Sequence, residues 1–262
     1  MSFLEKACQQ ARKRILEGYY DIEADASSNK IISLVKALDH DEVSLICELK
    51  SRSPSHGEIR RIGNPVKLAK LIELAGANGL SILTDPDNFS GSIRHLLEIS
   101  GEVSIPTLMK DFIISTAQIE AARKAGASAI LLIYPAYARG YSDTTLDHAI
   151  DYAHDLGLEV LLEAYTPKDL EAALSTDADL IGVNSRNLDT LDVSLERAYR
   201  IIELAGAGES ERIVVESGIK SAHDILFFRR LGVKRFLVGT SIMSSPDIRS
   251  KIRELKEAGR IG

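Results

Sequence analysis

Acidic and basic side chains sit at the ends of short apolar segments in this sequence. The segment VSLICELK, residues Val43–Lys50, is typical of a buried strand, yet it carries Glu48 and ends with Lys50. Residues two apart on a strand point to the same face, so this carboxylate and this amine share one side. Because a charged side chain is rarely buried without a partner, the pair predicts either a structural salt bridge or a functional acid–base site.

The same arrangement recurs in four later apolar segments. The polar residues at or just after the ends of those segments are Lys110, Glu163, Asn184, Arg186, Glu216 and Ser217. Any one of them is as well explained by a salt bridge as by catalysis. Five segments that all end in ionisable or amide groups favour an active site, provided that the fold brings the ends together.

Eight apolar segments alternate with amphipathic stretches of helical length. The eight predicted strands are Val43–Lys50, Leu80–Thr84, Ile105–Lys110, Ala129–Tyr134, Leu158–Ala164, Asp179–Asn184, Arg212–Ser217 and Arg235–Thr240. Near-continuous apolar strands joined by helices favour parallel pairing with both faces covered. Eight such units favour a closed (β/α)8 TIM barrel over an open doubly wound sheet. Since such a barrel takes about 250 residues, residues 1–262 are predicted to form a single domain.

Helices are predicted between the strands and before the first of them. Those between strands include Val66–Ala77, Thr116–Ala127, Leu146–Gly157 and Ala222–Gly232, and several close on a glycine, as a helix C-terminus favours. Residues 1–42 contain two amphipathic stretches, FLEKACQQARKRILEGYY and KIISLVKAL. They predict an N-terminal helical extension that caps the mouth or the bottom of the barrel, or forms a subunit contact.

Composition limits the classes of function. The net charge of −6 argues against nucleic acid as the main partner. The sequence shows no apolar run of about 20 residues for a membrane span, no signal peptide, and no HExxH motif or Cys/His cluster for a metal. Cys47 lies inside an apolar strand, which predicts a buried free thiol. We expect a cytoplasmic protein, as a monomer or a weak homo-oligomer.

The C-terminal ends of the strands form the active-site mouth of a (β/α)8 barrel, so the polar residues named above should converge there. ESGI and VGTSIM place small residues after the seventh and eighth strands, where many barrels bind phosphate. Gly218 and Gly239 allow close backbone approach, and Thr240 can donate a hydroxyl hydrogen bond. Ser53, in the segment SRSPSHGEIRR directly after Lys50, is placed to close over an anion.

A series of segments resembles the indole-3-glycerol-phosphate synthase family. In chain order they are ELKSRSPS, LSILTDPDNFSGS, IPTLMKDFI, LLEAY, IGVNSRNLDTL, ESGI and FLVGTSIM. The resemblance covers the chain from about residue 43 onward. It implies conversion of 1-(2-carboxyphenylamino)-1-deoxyribulose 5-phosphate into indole-3-glycerol phosphate, with loss of carbon dioxide and water, in tryptophan biosynthesis. It also implies a small phosphorylated anthranilate substrate, and no metal or organic cofactor.

The resemblance assigns catalytic roles by motif. It implies that Lys110 is the general acid of ring closure and that Glu163 is its acid–base partner in later steps. Glu48 and Lys50 match the family's paired carboxylate and amine, and Glu216 matches a supporting carboxylate. Carboxylates beside the two lysines should keep the amines protonated, which suits acids. Which lysine acts in which step stays open.

The resemblance also assigns substrate contacts. Asn184 and Arg186 correspond to substrate-orienting and carboxylate-binding positions. The phosphate and rim contacts implied are Ser53, Ser217, Gly218, Gly239 and Thr240, and the apolar slot for the anthranilate ring is implied to be Phe89, Phe112, Leu131 and Leu188. The sequence departs from the family pattern in two places. Tyr134 and Pro135 replace a plainer apolar stretch after the fourth strand, and Thr240 replaces serine.

Two other classes of function remain open from the sequence. One is another phosphate-binding TIM-barrel lyase or isomerase, such as a Schiff-base aldolase, which would need a lysine with a depressed pKa. The other is a barrel that binds a phosphorylated ligand without catalysis.

Overall fold

Eight parallel strands close into a barrel in the computed structural model, which describes residues 1–23, 31–54 and 57–260. The barrel strands are β1 Ser44–Leu49, β2 Gly79–Leu83, β3 Thr107–Lys110, β4 Ala129–Ile133, β5 Glu159–Ala164, β6 Leu180–Asn184, β7 Ile213–Glu216 and β8 Arg235–Val238. Each strand pairs with its sequence neighbours, and β8 pairs with β1 to close the barrel. The predicted (β/α)8 architecture is therefore confirmed.

Helices surround the barrel and also precede it. They are α1 Phe3–Leu16, α2 Leu34–Leu38, α3 Pro65–Leu74, α4 Pro86–Phe89, α5 Ile93–Ser100, α6 Thr116–Lys124, α7 Tyr134–Ala138, α8 Leu146–Asp155, α9 Pro167–Leu174, α10 Leu195–Ala205, α11 Ala222–Arg229, α12 Thr240–Met243 and α13 Ile248–Glu257, with 3-10 turns at Ala207–Glu209 and Ala258–Arg260. A short antiparallel ribbon, Arg52–Ser53 with Gly57–Glu58, follows β1. Within the described ranges, no helix is long and apolar enough to cross a membrane.

The fourth and eighth strands end one and two residues earlier than the sequence predicts. β4 ends at Ile133 because Tyr134 begins α7, and Pro135 lies in the first turn of that helix, where a missing N–H costs nothing. The unusual Tyr134–Pro135 pair is thus a helix start. β8 ends at Val238 because Thr240 opens the short helix α12.

The four helices predicted between strands end two or three residues earlier in the structure than the sequence predicts. A glycine follows within three residues of each end. Gly126 after α6 and Gly157 after α8 have φ angles of +81° and +75°. Only glycine adopts this left-handed conformation without strain, so each helix stops where the sequence predicted a C-terminal glycine. Ser115 and Thr145 cap the N-termini of the same helices through their side-chain oxygens.

Two apolar layers hold the barrel, one outside the strands and one inside. On β1, Leu45 and Cys47 belong to the outer layer beneath the helices, whereas Ile46 belongs to the inner layer with apolar residues of the other strands. Cys47 is a buried free thiol, as predicted, and burial raises its pKa to about 12. Above Ile46, the next inward residue is Glu48, so the inner layer changes from apolar to charged towards the mouth.

Helix α1 of the N-terminal extension packs at the mouth of the barrel. Its Arg14 pairs with Asp85, two residues after β2, and with Asp111, directly after β3. Arg12 donates to the backbone oxygen of Tyr141, in the segment that follows α7, at 2.9 Å. The first predicted extension helix therefore lies at the mouth.

Helix α2 packs at the opposite end of the barrel. The backbone N–H groups of Leu34 and Val35 donate to the carboxylate of Glu159, at the start of β5, at 2.6 and 2.9 Å. Leu34 also packs against Gly79 at the start of β2. The extension thus contacts both ends of the barrel. Lys30 of the predicted segment KIISLVKAL, and Ser55 and His56 of SRSPSHGEIRR, lie outside the described residues.

Candidate active site

Two amines and two carboxylates meet at the C-terminal ends of β1, β3 and β7. The amine of Lys110 lies 2.6 Å from Glu216 Oε2 and 3.4 Å from Glu48 Oε2. The amine of Lys50 lies 3.1 Å from the other oxygen of Glu48. Glu48 therefore bridges the two amines, and the shared face predicted for Glu48 and Lys50 is confirmed.

The charges in this network stabilise one another. Burial alone would raise the pKa of Glu48, but the ammonium groups of Lys50 and Lys110 outweigh it and lower the pKa to about 2. Burial alone would lower the pKa of Lys110, but Glu216 and Glu48 raise it above its ordinary value. Lys110 is therefore a protonated amine, as the sequence predicted, and can act as a proton donor.

Glu163 at the end of β5 is the third buried carboxyl group of the site. Burial and the neighbouring charge of Glu216 raise the pKa of Glu163 to about 8, against the opposing effects of Lys110 and a hydrogen bond with Asn184. Since Glu48 and Glu216 already balance the two lysines, a third carboxylate has no cation of its own. The site therefore favours the protonated form of Glu163.

Two glycines leave room for these carboxylates. A Cβ atom at Gly182 on β6 would lie 2.1 Å from Glu216 Oε1, and one at Gly239 after β8 would lie 2.4 Å from Glu48 Oε1. A larger side chain at Gly182 would displace the Glu216 carboxylate that pairs with Lys110, and one at Gly239 would displace the Glu48 oxygen that pairs with Lys50. Gly239 clears space for Glu48, and its predicted phosphate contact stays a prediction.

A cavity of about 1130 Å³ opens above the charged groups. The predicted site residues that line it are Glu48, Lys50, Phe89, Lys110, Phe112, Leu131, Glu163, Asn184, Arg186, Leu188, Ser217, Gly218, Gly239 and Thr240. Glu216 is buried beneath the lining against Lys110. Ser53 is buried in the ribbon after β1 and is not part of the lining, so its predicted phosphate contact stays a prediction.

Aromatic rings form one wall of the cavity. Phe89, at the end of α4, stacks on Phe112, just after β3, with ring centres 6.4 Å apart and an angle of 22° between the planes. Phe3 of α1 packs edge-on against Phe112 at 5.9 Å. The amine of Lys50 lies 5.3 Å from the centre of the Phe89 ring. A flat aromatic group bound here would therefore lie beside the charged network.

Small residues form another part of the lining, after β7 and β8. Ser217 and Gly218 both have positive φ angles, +64° and +83°, so the backbone turns sharply after Glu216. Ser241 donates its hydroxyl to the backbone oxygen of Ile219 at 2.8 Å, which ties the two loops together. Thr240 and Ser241 both line the cavity, but the Ser241 hydroxyl is already bonded within the protein.

The loop after β6 carries a cation to the cavity. Arg186 is half-buried and donates to the backbone oxygen of Leu191 at 2.9 Å. Burial lowers the pKa of Arg186, although Glu48 opposes this effect. The side-chain oxygen of Asn184 accepts a hydrogen bond from the Arg186 backbone N–H at 2.9 Å. The amide nitrogen of Asn184 is then available to donate to Glu163.

A family model described as indole-3-glycerol phosphate synthase matches residues 4–255. The chain belongs to this family. A family member from Desulforamulus reducens is 35% identical over 266 residues, covering 99% of this chain and 98% of the relative. One from Rhodopirellula baltica is 42% identical over 209 residues, covering 79% and 78% of the two chains, and one from Campylobacter curvus is 37% identical over 227 residues, covering 87% and 85%.

A solved structure with the same fold is thiamine phosphate pyrophosphorylase from Pyrococcus furiosus. It aligns with a TM-score of 0.60 at 18% identity, covering 84% of this chain and 97% of that one. At this identity the match supports the barrel fold alone. Membership in the indole-3-glycerol phosphate synthase family confirms the resemblance predicted from the sequence, and with it an enzyme of the carboxy-lyase class that acts on a small phosphorylated substrate.

Sequence patterns alone did not predict several residues that line or shape the cavity of this indole-3-glycerol phosphate synthase family member. Asp85 and Asp111 line the cavity within two residues of the ends of β2 and β3, a position that could have identified them. Lys220 and Lys251 also line it. Lys251 comes from α13, far from any strand end, so the strand-end rule could not find it. The clearance role of Gly182 depends on atomic contacts that no sequence motif describes.

Proposed function

We propose that this protein forms indole-3-glycerol phosphate from 1-(2-carboxyphenylamino)-1-deoxyribulose 5-phosphate, with Lys110 as the acid of ring closure. The observation that supports this best is a protonated amine held between two buried carboxylates, Glu48 and Glu216, at the floor of a cavity. The aromatic wall and the small-residue loops of that cavity suit the two ends of this substrate. The reaction needs a proton donor beside an aromatic ring, and this site supplies one.

Ring closure joins the ring carbon that bears the carboxylate to the keto carbon of the sugar chain. The keto oxygen gains negative charge as the new bond forms, so a proton from Lys110 lowers the barrier. A positioned acid of this kind contributes about 10²–10⁴-fold to a rate. Glu48 and Glu216 keep the amine charged before the step and accept its hydrogen bonds throughout.

The later steps release carbon dioxide and water. The carboxylate leaves as carbon dioxide, and the electron pair of the broken bond restores the aromatic ring, so no separate electron acceptor is needed. The hydroxyl on the former keto carbon then leaves as water, while the neighbouring carbon loses a proton to form the double bond. Glu163, protonated at neutral pH, donates to the hydroxyl, and the resulting carboxylate accepts the carbon-bound proton. Lys50, which lines the same cavity, is the second proton donor available.

The cavity orients the substrate by its two ends. The anthranilate ring lies in the slot formed by Phe89, Phe112, Leu131 and Leu188, with its carboxylate towards Arg186. The phosphate lies at the opposite side, against Ser217, Gly218, Gly239 and Thr240, where backbone N–H groups can donate to its oxygens. The protein acts in the cytoplasm, as a monomer or a weak homo-oligomer.

One assay tests this proposal directly. Purified protein incubated with the carboxyphenylamino substrate should produce the fluorescence of an indole. A folded protein that binds the substrate without producing an indole would favour the ligand-binding alternative. A Schiff-base aldolase would instead yield a lysine adduct that borohydride traps, which the raised pKa of Lys110 disfavours.

A further inference from the structure

The two rings of the aromatic slot stand on different loops, and each loop begins with an aspartate. Asp85 caps α4 by accepting from the Asp87 backbone N–H at 2.9 Å, and Phe89 is the last residue of that four-residue helix. Asp111 accepts from the backbone N–H of Phe112 at 2.8 Å. The position of each aspartate therefore fixes the position of one ring.

One guanidinium group holds both aspartates. Arg14 of α1 donates to Asp85 Oδ1 at 3.1 Å through one terminal nitrogen and to Asp111 Oδ1 at 2.9 Å through the other. Its remaining nitrogen donates to the hydroxyl of Tyr20 at 3.1 Å. Tyr20 in turn donates to Asp111 Oδ2 at 2.9 Å. The two loops are thus joined through a residue that is 71 positions away from Asp85 and 97 from Asp111.

This cluster is buried and more negative than positive. The side chains of Asp85 and Asp111 have no exposed surface, and that of Arg14 is 6% exposed. Asp87 also pairs with Arg14 from a partly exposed position. Burial and the nearby Asp111 raise the pKa of Asp85 to about 6, although Arg14 opposes this. Without Arg14 the two buried carboxylates would repel each other, and the loops that carry them would separate.

We propose that Arg14 is a positioning residue that sets the spacing of the aromatic slot by holding Asp85 and Asp111 together. It does not line the cavity itself, and it acts through the loops that carry Phe89 and Phe112. The inference rests on the proposed function, because it assigns the slot to the aromatic ring of the substrate. It gives α1 an indirect part in substrate binding, through the two loops that Arg14 holds together.

Replacement of Arg14 tests the proposal by separating binding from catalysis. Arg14→Met removes the hydrogen bonds to both Asp85 and Asp111. Arg14→Lys keeps the positive charge but lacks the forked guanidinium group that reaches two carboxylates. Lys13→Met is the matched control, because Lys13 is the preceding residue of α1 and its side chain is 74% exposed. Each protein is assayed for kcat and KM below its own unfolding temperature. Calorimetry measures the Kd of a non-reactive substrate analogue whose keto group is reduced to an alcohol.

We expect Arg14→Met to raise KM and the Kd of the analogue about tenfold or more, with a smaller loss in kcat, because a wider slot weakens ring binding first. Arg14→Lys should fall between Arg14→Met and wild type, and Lys13→Met should match wild type. A folded Arg14→Met protein with wild-type KM and Kd would overturn the proposal. If that variant does not fold, Arg14→Lys decides in the same way. Wild-type protein that binds the analogue but forms no indole would refute the proposed function, while the Kd values would still decide the role of Arg14.

Discussion

Lys110 and Glu216 form a partly buried ion pair of 2.6 Å although they are 106 residues apart in the sequence. The barrel brings them together because β3 and β7 both end at the same mouth. Glu48, at the end of β1, contacts the same amine at 3.4 Å. These two carboxylates raise the pKa of Lys110 and keep its amine protonated.

Lys110→Ala should nearly abolish turnover, with a loss of about 10²–10⁴-fold in kcat, because no other amine of the network occupies its position. Indole formation by the purified variant measures this, and circular dichroism confirms that it is folded. Lys124→Ala, at the exposed end of α6, is the matched lysine control and should retain wild-type kcat. Cys47→Ser should also leave turnover largely intact, because Cys47 lies in the outer layer, away from the cavity. Wild-type activity in Lys110→Ala would mean that another group is the acid.

Gly182→Ala should lower kcat about 10²-fold although it adds only one methyl group. The new Cβ would lie 2.1 Å from Glu216 Oε1, so the carboxylate must move away from Lys110. The control is Gly101→Ala, because Gly101 has an ordinary φ of −82° and open space where the Cβ would be added. A Gly182→Ala protein with unchanged kcat would show that Lys110 does not depend on the position of Glu216.

Strand ends were the part of the site that the sequence could predict. A buried strand that ends in Glu48 and Lys50 departs from the usual apolar pattern. Because the C-terminal ends of the strands form the mouth of a barrel, the sequence predicts that these two residues lie there. Arg14 does not lie at a strand end, so no comparable sequence pattern identifies it. It lies on an amphipathic helix where an arginine is ordinary, and its burial depends on two aspartates that only the folded chain places beside it.

Two short helices that begin just after barrel strands were not predicted from the sequence. Tyr134 directly follows Ile133 of β4, and Thr240 lies two residues after Val238 of β8. Both residue types fit a strand, so the apolar pattern predicts strands that are one and two residues too long. The structure turns both into the first residue of a short helix. The boundary between a strand and a following short helix depends on backbone hydrogen bonds beyond the strand, and residue type predicts these bonds poorly.

Thr240→Val should raise KM about tenfold or more and change kcat less, because it removes one hydroxyl donor to a charged phosphate while keeping the side-chain shape. The measurement compares KM for the phosphorylated substrate with KM for the same compound lacking phosphate. Only the phosphorylated substrate should distinguish the variant from wild type. An equal change with both compounds would place the phosphate elsewhere in the cavity.

Glu163 should make stability fall as the pH rises through neutrality. Its pKa is about 8 in the folded protein against an ordinary value of 4.5, so between these values the folded chain holds a proton that the unfolded chain has released. Unfolding then releases a proton, and the free energy of unfolding decreases with pH by up to about 1.4 kcal/mol per pH unit. Urea unfolding between pH 5 and 8 should show a shallower decrease for Glu163→Gln than for wild type. Glu171→Gln, at an exposed position on α9, should keep the wild-type slope. Parallel curves for all three proteins would mean that Glu163 is ionised at neutral pH and does not supply the proton that releases water.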